Sequence, residues 1–376
     1  MTEPGTDRSR PPRAGALPCL LACMALAAAC GGTTSAAGDA APLDTAAEDG
    51  AVAEDGAVAD TSVAVDTSVA ADSAPADTAA PTPAVEQGRY EADLAFVAAP
   101  RAPGSAHWQA VQDLCADRFT ALGYAVEHHA YGTGVNVIGK LTGTVAPAEQ
   151  VVLSAHYDHI TGCAGADDNG SGVAGLLEAA RVLAAAPHPR TLVVACWDEE
   201  ERGLVGSGAW AARAVERGET VVVVYDFEMI GFRSDAPNSQ TMPAGLDLLF
   251  PDAAAAIAAN QRRGDFIAVV ADASAASTLA ASSLTTAAQT SGLPALTLQL
   301  PAGLEKSSAV GDLRRSDHAE FWDRDIPALM ITDTSEFRYA GYHCHDGPDT
   351  PDRLDPAFAT AVVEATVASV STLLAP

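Results

Sequence analysis

Short apolar runs alternate with amphipathic stretches over most of the chain. The runs typical of strands lie near residues 134–139, 150–155, 191–197, 221–227 and 326–332. Apolar spacing typical of helices occurs near residues 105–122, 170–186, 204–217 and 355–373. This alternation predicts an α/β fold: a three-layer αβα sandwich in which helices cover both faces of a mixed, mostly parallel central sheet. The Ala-, Ser- and Thr-rich stretch 268–288 predicts a helix only in its middle.

The first thirty residues have a different pattern. Arg8, Arg10 and Arg13 precede an apolar run, 14–29, that is too short and too rich in small residues to span a bilayer. This pattern predicts a signal peptide over residues 1–30. The run ends in LAAACGG, which resembles a bacterial lipobox in which Cys30 becomes the lipidated amino terminus, although alanine stands at 27 where leucine is usual. Ordinary secretion, with cleavage after a nearby Ala-X-Ala, is the alternative.

Residues 31–86 have low sequence complexity. They contain no Lys, Arg or aromatic residue, and they repeat EDGAVA and then DTSVA. Such a segment has too few bulky side chains to bury a core, so we predict a disordered acidic linker with a span of roughly 40 Å. The remaining residues, 88–376, suit one large α/β domain. The net charge of the whole chain is −28, which argues against nucleic acid as a partner.

Three polar clusters follow or separate apolar runs between residues 151 and 206. They are His156-Tyr157-Asp158, the loop GADDNGSG at 165–172, and the acidic run at 198–201. Each alone is more often a turn or a solvated surface. The three clusters follow one another at predicted strand ends, and this order favours a shared functional site, because the carboxyl ends of parallel strands meet at one edge of a sheet. Imidazole and carboxylate groups are zinc ligands, and the pattern therefore predicts half of a two-metal hydrolase site.

Further motifs extend this pattern in both directions. They are PRAPGS at 100–105, GVNVIG at 134–139, EMIG at 228–231, SDH at 316–318, and His345 ahead of DTP at 349–351. Together with the three clusters, they resemble the co-catalytic di-zinc aminopeptidases of metallopeptidase family 28, which include aminopeptidase Y and the bacterial leucyl aminopeptidases. The resemblance covers residues 88–376.

The resemblance implies a role for individual residues. The implied metal ligands are His156, Asp168 as the bridge, Glu201, Glu228 and His345. His345 is preferred to His343 because it stands five residues before the Thr of DTP, and Glu228 is preferred to Asp226 by register. Glu200 is the implied general base, and Asp158 the acid that orients His156 through its far ring nitrogen. The supporting or substrate-binding residues are Asp167, Asp317, His318 and Arg315, with Arg314 or Arg315 replacing a tyrosine that stabilises the oxyanion in some members.

The resemblance also implies a function. It is an aminopeptidase that binds two zinc ions per chain, activates a bridging water and cleaves peptides that have a free amino terminus. Membrane contact is expected only through the lipid anchor at Cys30, at the bacterial cell envelope. Other readings remain open: a dipeptidase or carboxypeptidase of the same fold, a one-zinc glutaminyl-peptide cyclotransferase, and a non-catalytic surface binding protein. The oligomeric state is also open.

The cysteines separate into three groups. Cys19, Cys23 and Cys30 belong to the predicted export segment, whereas Cys115 and Cys196 lie in apolar patterns typical of buried, unreactive thiols. The remaining pair, Cys163 and Cys344, lie in predicted loops close to the implied ligands. Export to an oxidising compartment would allow a disulfide between them.

Overall fold

A computed structural model describes residues 83–376, which contain an eight-stranded sheet in the order β1-β2-β4-β3-β5-β8-β6-β7. The strands are β1 (Ala125–Tyr131), β2 (Gly134–Leu141), β3 (Ala146–His156), β4 (Arg190–Trp197), β5 (Thr220–Glu228), β6 (Ile267–Ala271), β7 (Ala295–Gln299) and β8 (Ala328–Thr332). The four central strands, β4, β3, β5 and β8, are parallel, as are β6 and β7. The β1–β2, β2–β4 and β6–β8 pairings are antiparallel. The predicted mixed, mostly parallel sheet is confirmed.

Helices cover both faces of the sheet. They are α1 (Gln87–Val97), α2 (Ala106–Ala121), α3 (Gly172–Leu183), α4 (Val205–Glu216), α5 (Leu246–Leu249), α6 (Pro251–Ala259), α7 (Ala275–Ser291), α8 (His318–Trp322) and α9 (Pro356–Leu374). Helices α2, α3, α7 and α9 contribute to one apolar core, and α4, α6 and α8 to the other. Neighbouring residues of β4 point into different cores: Val194 packs with the first set and Val193 with the second. A strand buried on both faces needs this unbroken apolar run.

The sequence pattern located the central strands but missed three elements at the sheet edges. The predicted runs correspond to β2, β3, β4, β5 and β8, and the predicted helices to α2, α3, α4 and α9. Strand β1 escaped notice because it is polar and largely exposed. Strand β6 lies at the start of the Ala/Ser/Thr-rich stretch and β7 lies beyond it, whereas α7 occupies the middle as predicted and continues past the end of the stretch.

Helix α9 is the one helix of the described residues that is long and apolar enough to cross a membrane. Its apolar window is 67% buried, and Val362, Val363 and Val370 pack in the first core. Asp355 caps its first turn by accepting hydrogen bonds from the backbone N–H groups of Ala357 and Phe358. These contacts identify α9 as a core helix.

The predicted signal peptide, the lipidation site Cys30 and nearly all of the predicted linker lie outside the described residues. The last linker residues contact the domain. The backbone N–H of Glu86 donates to Glu178 Oε1 at 2.6 Å, and Arg181 donates to the carbonyl of Ala84 at 2.6 Å.

Candidate metal centre

Three parallel strands bring the polar clusters together at their carboxyl ends. Strand β3 ends at His156, which lies opposite Trp197, the last residue of β4. The acidic run follows Trp197 directly, and β5 ends at Glu228. Because β4, β3 and β5 are neighbours in the sheet, the side chains that follow them converge on one edge.

His156, Asp168 and Glu228 form the first cluster. The Nε2 atom of His156 lies 3.3 Å from Asp168 Oδ1 and 3.3 Å from Glu228 Oε2. This ring nitrogen is buried and has no hydrogen-bond partner in the described part of the chain. A buried polar atom without a partner is costly, and two converging carboxylates suit a cation between them.

Asp168, Glu201 and His343 form the second cluster. The Nε2 atom of His343 lies 3.1 Å from Asp168 Oδ2 and 3.2 Å from Glu201 Oε2. Each oxygen of Asp168 therefore faces a different histidine. A carboxylate in this position can bridge two metal ions about 3.5 to 4 Å apart.

The placement of His345 differs from the prediction. His345 is exposed, and the structure brings His343 to the second cluster instead. The reason lies in the turn at 342–344, where His343 and Cys344 adopt positive φ angles of 52° and 55°. Spacing from the DTP motif assumes a register that this turn does not keep.

A disulfide holds this turn against the loop that follows β3. Cys163 and Cys344 are bonded, which confirms the expected pairing, and their Cα atoms are 5.8 Å apart. Cys344 directly follows His343 in sequence. The disulfide therefore links the turn that carries His343 to the loop between His159 and Asp168. Cys115 and Cys196 are buried and have no disulfide partner within residues 83–376.

Asp158 positions the acidic run more directly than it orients His156. Its two carboxylate oxygens accept hydrogen bonds from the backbone N–H groups of Glu200 and Glu201, at 3.0 and 3.3 Å. Its Oδ1 atom is 3.6 Å from His156 Nδ1, beyond good hydrogen-bond distance, and the carbonyl of Asp158 lies closer to that nitrogen, at 3.3 Å.

Glu200 and Glu199 have different surroundings although they are adjacent. The Oε2 atom of Glu200 lies 4.0 Å from His156 Nε2, and its side chain is 10% exposed, so it faces the first cluster and remains accessible. Glu199 turns away and pairs with Arg202 and Thr133. This difference agrees with Glu200, and not Glu199, as the acid that faces the site.

His159 is a site residue that the sequence pattern did not reveal. Its ring is fully buried, and Nδ1 lies 2.7 Å from Glu201 Oε1 and 3.9 Å from Asp168 Oδ1. His159 therefore contacts the oxygen of Glu201 that His343 does not face. The only sequence signal was its position three residues beyond His156, in a segment with no periodicity.

The loop that carries Asp168 is held by buried acids. Asp349, from the DTP motif, accepts hydrogen bonds from the backbone N–H groups of Asp167 and Asp168 at 2.9 and 3.1 Å. Asp167 Oδ1 in turn accepts from the N–H of Gly231, just after β5. Asp167 thus stabilises the loop by binding the segment that follows β5. Asp349 also stabilises the loop, a role that the sequence pattern did not predict.

The SDH motif lies behind Glu228. Ser316 donates to Glu228 Oε2 at 2.7 Å and to Asp226 Oδ2 at 3.0 Å. Asp226 also accepts hydrogen bonds from the hydroxyl of Ser154 and from the backbone N–H of His318. These hydrogen bonds hold its carboxylate away from the two clusters. The ring of His318 contacts the carbonyl of Leu313 at 2.9 Å, a supporting position.

Asp317 is fully buried, and neither carboxylate oxygen has a hydrogen bond in the described residues. Burial raises the pKa of its carboxyl well above the usual range, and the charge of Asp226 raises it further. His156 acts in the opposite direction, which places Asp317 within the electrostatic reach of the first cluster.

The two arginines expected near the oxyanion have other partners. Arg314 binds the carboxylate of Asp323 at 2.8 and 2.9 Å. Arg315 pairs with Glu336 and donates to the hydroxyl of Tyr342 at 2.9 Å. Arg315 therefore reaches the site through Tyr342, whose ring stacks on that of His343 with centroids 4.0 Å apart.

The charges of the site depend on one another. Burial lowers the pKa of His343, but Asp168 and Glu201 outweigh burial and raise it to about 10. Burial raises the pKa of Glu200 well above its usual range, and the charge of Glu228 contributes in the same direction. Burial raises the pKa of Asp168, but His159, His156 and His343 outweigh burial and lower it well below the usual range. Bound dications would act on this carboxylate in the same direction.

An apolar cavity adjoins the first cluster. It encloses about 770 Å³ of empty space, counting its open mouth. Glu228, Arg315 and Tyr342 contribute to its wall, and most of the remaining wall is apolar, including Met242, Leu246, Ile257, Phe266, Leu298 and Met330. The cavity can accept a large apolar group next to the candidate metal centre.

A family model and curated relatives match part of the chain. A family model described as peptidase family M28 matches residues 136–277. YfbL from Escherichia coli strain K12, an uncharacterized protein, is 35% identical over 234 residues, which are 58% of this chain and 65% of YfbL. LpqL from Mycobacterium tuberculosis, named a probable lipoprotein aminopeptidase, is 32% identical over 130 residues, 32% of this chain and 26% of LpqL.

The likeness to solved structures concerns the fold. LapA from Legionella pneumophila is 20% identical, with a TM-score of 0.60 over 78% of this chain and 74% of LapA. The chain spans just under two thirds of YfbL and about a quarter of LpqL. The matched segment carries His156, Asp168, Glu200, Glu201 and Glu228 in order, and over residues 136–277 the chain is similar to peptidase family M28.

Proposed function

We propose that the chain is a two-zinc aminopeptidase that removes large apolar residues from the amino terminus of peptides. The observation that carries this proposal is the pair of carboxylate–histidine clusters that share Asp168, with Glu200 beside them. His156, Asp168 and Glu228 would hold one ion, and Asp168, Glu201 and His343 the other. When bound, the two zinc ions supply a water of lowered pKa and a Lewis acid for the scissile carbonyl.

Glu200 is the general base of this proposal. It faces the first cluster, and burial raises the pKa of its carboxyl above the usual range, which favours acceptance of a proton. Glu200 would accept a proton from the attacking water and deliver it to the nitrogen of the departing amine. His159 would hold Glu201 through the 2.7 Å contact, and Asp158 would fix the backbone of both glutamates.

Tyr342 takes the oxyanion role that the sequence pattern suggested for Arg315. Its hydroxyl accepts a hydrogen bond from Arg315, which leaves the phenolic proton free to be donated. Tyr342 lines the cavity together with Glu228, and its ring stacks on His343, so the side chain borders both the second cluster and the space for substrate. A hydrogen bond to the developing negative charge would strengthen as the carbonyl is attacked.

We expect Tyr342→Phe to lower kcat by about 10²- to 10³-fold, the usual effect of removing one oxyanion donor. The zinc content should stay at the wild-type level, because the Phe ring can still stack on His343. Steady-state kinetics and elemental analysis would be run on the same preparation. An unchanged kcat would remove Tyr342 from the mechanism.

The substrate preference follows from the apolar cavity. We expect kcat/KM for leucine and phenylalanine p-nitroanilides to exceed that for alanine p-nitroanilide by at least about tenfold, because burying a large side chain stabilises by about 1.5–3 kcal/mol. The aspartate amide should be poorest, since Glu228, Asp312 and Glu336 also line the cavity. N-acetylated leucine p-nitroanilide should not be cleaved. Equal cleavage of the blocked and free amides would contradict an aminopeptidase.

The alternative activities have less support. A one-zinc cyclotransferase does not need the second cluster, and a binding protein does not need an accessible Glu200. Export as a lipoprotein at the cell envelope is part of the proposal, supported by the Cys163–Cys344 disulfide, since disulfides persist in oxidising compartments. Cys30→Ser should then move the protein out of the membrane fraction, and an unchanged distribution would argue against lipidation.

A further inference from the structure

Arg101, in the PRAPGS segment between α1 and α2, has a buried guanidinium without a carboxylate partner. The residue is 0% exposed, and among residues 83–376 no acid forms an ion pair with it. Its donors instead reach four backbone carbonyls. Nε donates to Tyr157 at 2.9 Å, Nη1 to Ala164 at 2.6 Å and more weakly to Val97 at 3.4 Å, and Nη2 to Asp168 at 3.1 Å.

Three of these carbonyls belong to the candidate metal centre. Tyr157 stands between His156 and Asp158, and Ala164 lies in the loop that leads from β3 to the second cluster. The third carbonyl is that of Asp168, the residue whose side chain faces both histidines. One planar side chain therefore fixes the end of β3 and the backbone of Asp168 relative to each other.

A buried cation is costly unless nearby negative charge offsets it. Burial lowers the pKa of Arg101, and the charges of Asp168, Asp349 and Asp158 act against burial, although none of these side chains is its hydrogen-bond partner. Arg101 thus lies where its charge offsets the acids of the centre while its hydrogen bonds go to backbone. A lysine could supply the charge but not the planar fork of donors.

We infer that Arg101 is a positioning residue that sets the separation of His156 and Asp168, and through it the affinity for both metal ions. This inference rests on the proposed function, because it concerns the ions of the same centre. Groups that orient metal ligands typically change metal affinity or activity by about 10- to 100-fold when they are replaced. Arg101 would act through three backbone carbonyls, without touching metal or substrate.

The test compares zinc affinity in Arg101→Lys and wild type, by competition with a chromophoric chelator, together with thermal unfolding of the metal-free proteins and kcat. We expect the zinc affinity to fall by about 10- to 100-fold. Arg190→Lys is the matched control, because Arg190 also donates to backbone carbonyls, of Leu373 at 2.8 Å and of Ala375, at the opposite end of the sheet. This control should lose stability and keep its zinc affinity.

Arg101→Ala with added guanidinium chloride, at concentrations far below denaturing ones, provides the second variant. Guanidinium can restore the planar donors, so zinc affinity and turnover should recover in part, whereas sodium chloride of equal ionic strength should not restore them. Wild-type zinc affinity in Arg101→Lys would overturn the inference. An Arg101→Ala protein that guanidinium refolds without restoring zinc affinity would also overturn it, as would variants that fail to fold in all conditions. A wild-type protein that binds no zinc would instead refute the proposed function.

Discussion

Glu200→Gln is expected to retain its zinc and to lose about 10²- to 10⁴-fold in kcat, the usual contribution of a general base. Glutamine has nearly the shape of glutamate but cannot accept the proton of the attacking water. The clusters should be undisturbed, because Asp168 and Glu228 each lie 3.3 Å from Nε2 of His156 while Glu200 stays at 4.0 Å. Steady-state kinetics and zinc analysis on the same sample measure both effects.

Glu199→Gln is the matched control for this variant. Glu199 is the preceding residue of the acidic run, and its side chain pairs with Arg202 and Thr133 away from the clusters. Its replacement should cost some stability and leave turnover close to that of the wild type. If Glu200→Gln turned over at the wild-type rate, another group would have to be the base.

His343→Ala is expected to lose one of two zinc ions and, with it, most of the activity. The ring of His343 contacts both Asp168 and Glu201, at 3.1 and 3.2 Å, and its removal takes away the histidine that lies near both carboxylates, leaving Glu201 with His159. The exposed His345 offers a paired control only two residues away. His345→Ala should keep two zinc ions and full turnover.

This pair of variants also separates two ways of reading the sequence. The spacing from the DTP motif favours His345 as the metal ligand, whereas the turn in the structure favours His343. Elemental analysis of both proteins decides between them. Loss of zinc in His345→Ala together with full zinc in His343→Ala would show that the turn at 342–344 differs in the active enzyme.

The parts of the site that follow parallel strands were predictable from the sequence. His156, Glu201 and Glu228 each lie at or just beyond the end of an apolar run, and strand ends are constrained by the period of two and by burial. Prediction of the strands indicated that these three side chains share one edge of the sheet, and the structure adds that β4, β3 and β5 are neighbours there.

The parts contributed by irregular segments were not predictable in the same way. His343 and Tyr342 belong to a turn whose shape depends on positive φ angles and on a disulfide to a residue 181 positions away. His159 and Asp349 reach the site only because loops fold back on Asp168. No periodicity marks such residues, since each depends on a contact that is distant in sequence.

Zinc content and turnover of the mature full-length chain test the central claim most directly. The protein would be analysed for zinc per chain, stripped with a chelator, assayed on leucine p-nitroanilide, and assayed again after zinc is restored in steps. We predict two zinc ions per chain, loss of turnover on chelation, and recovery that is complete only when the second ion is bound. One zinc per chain, or turnover that survives removal of all metal, would contradict the two-metal account.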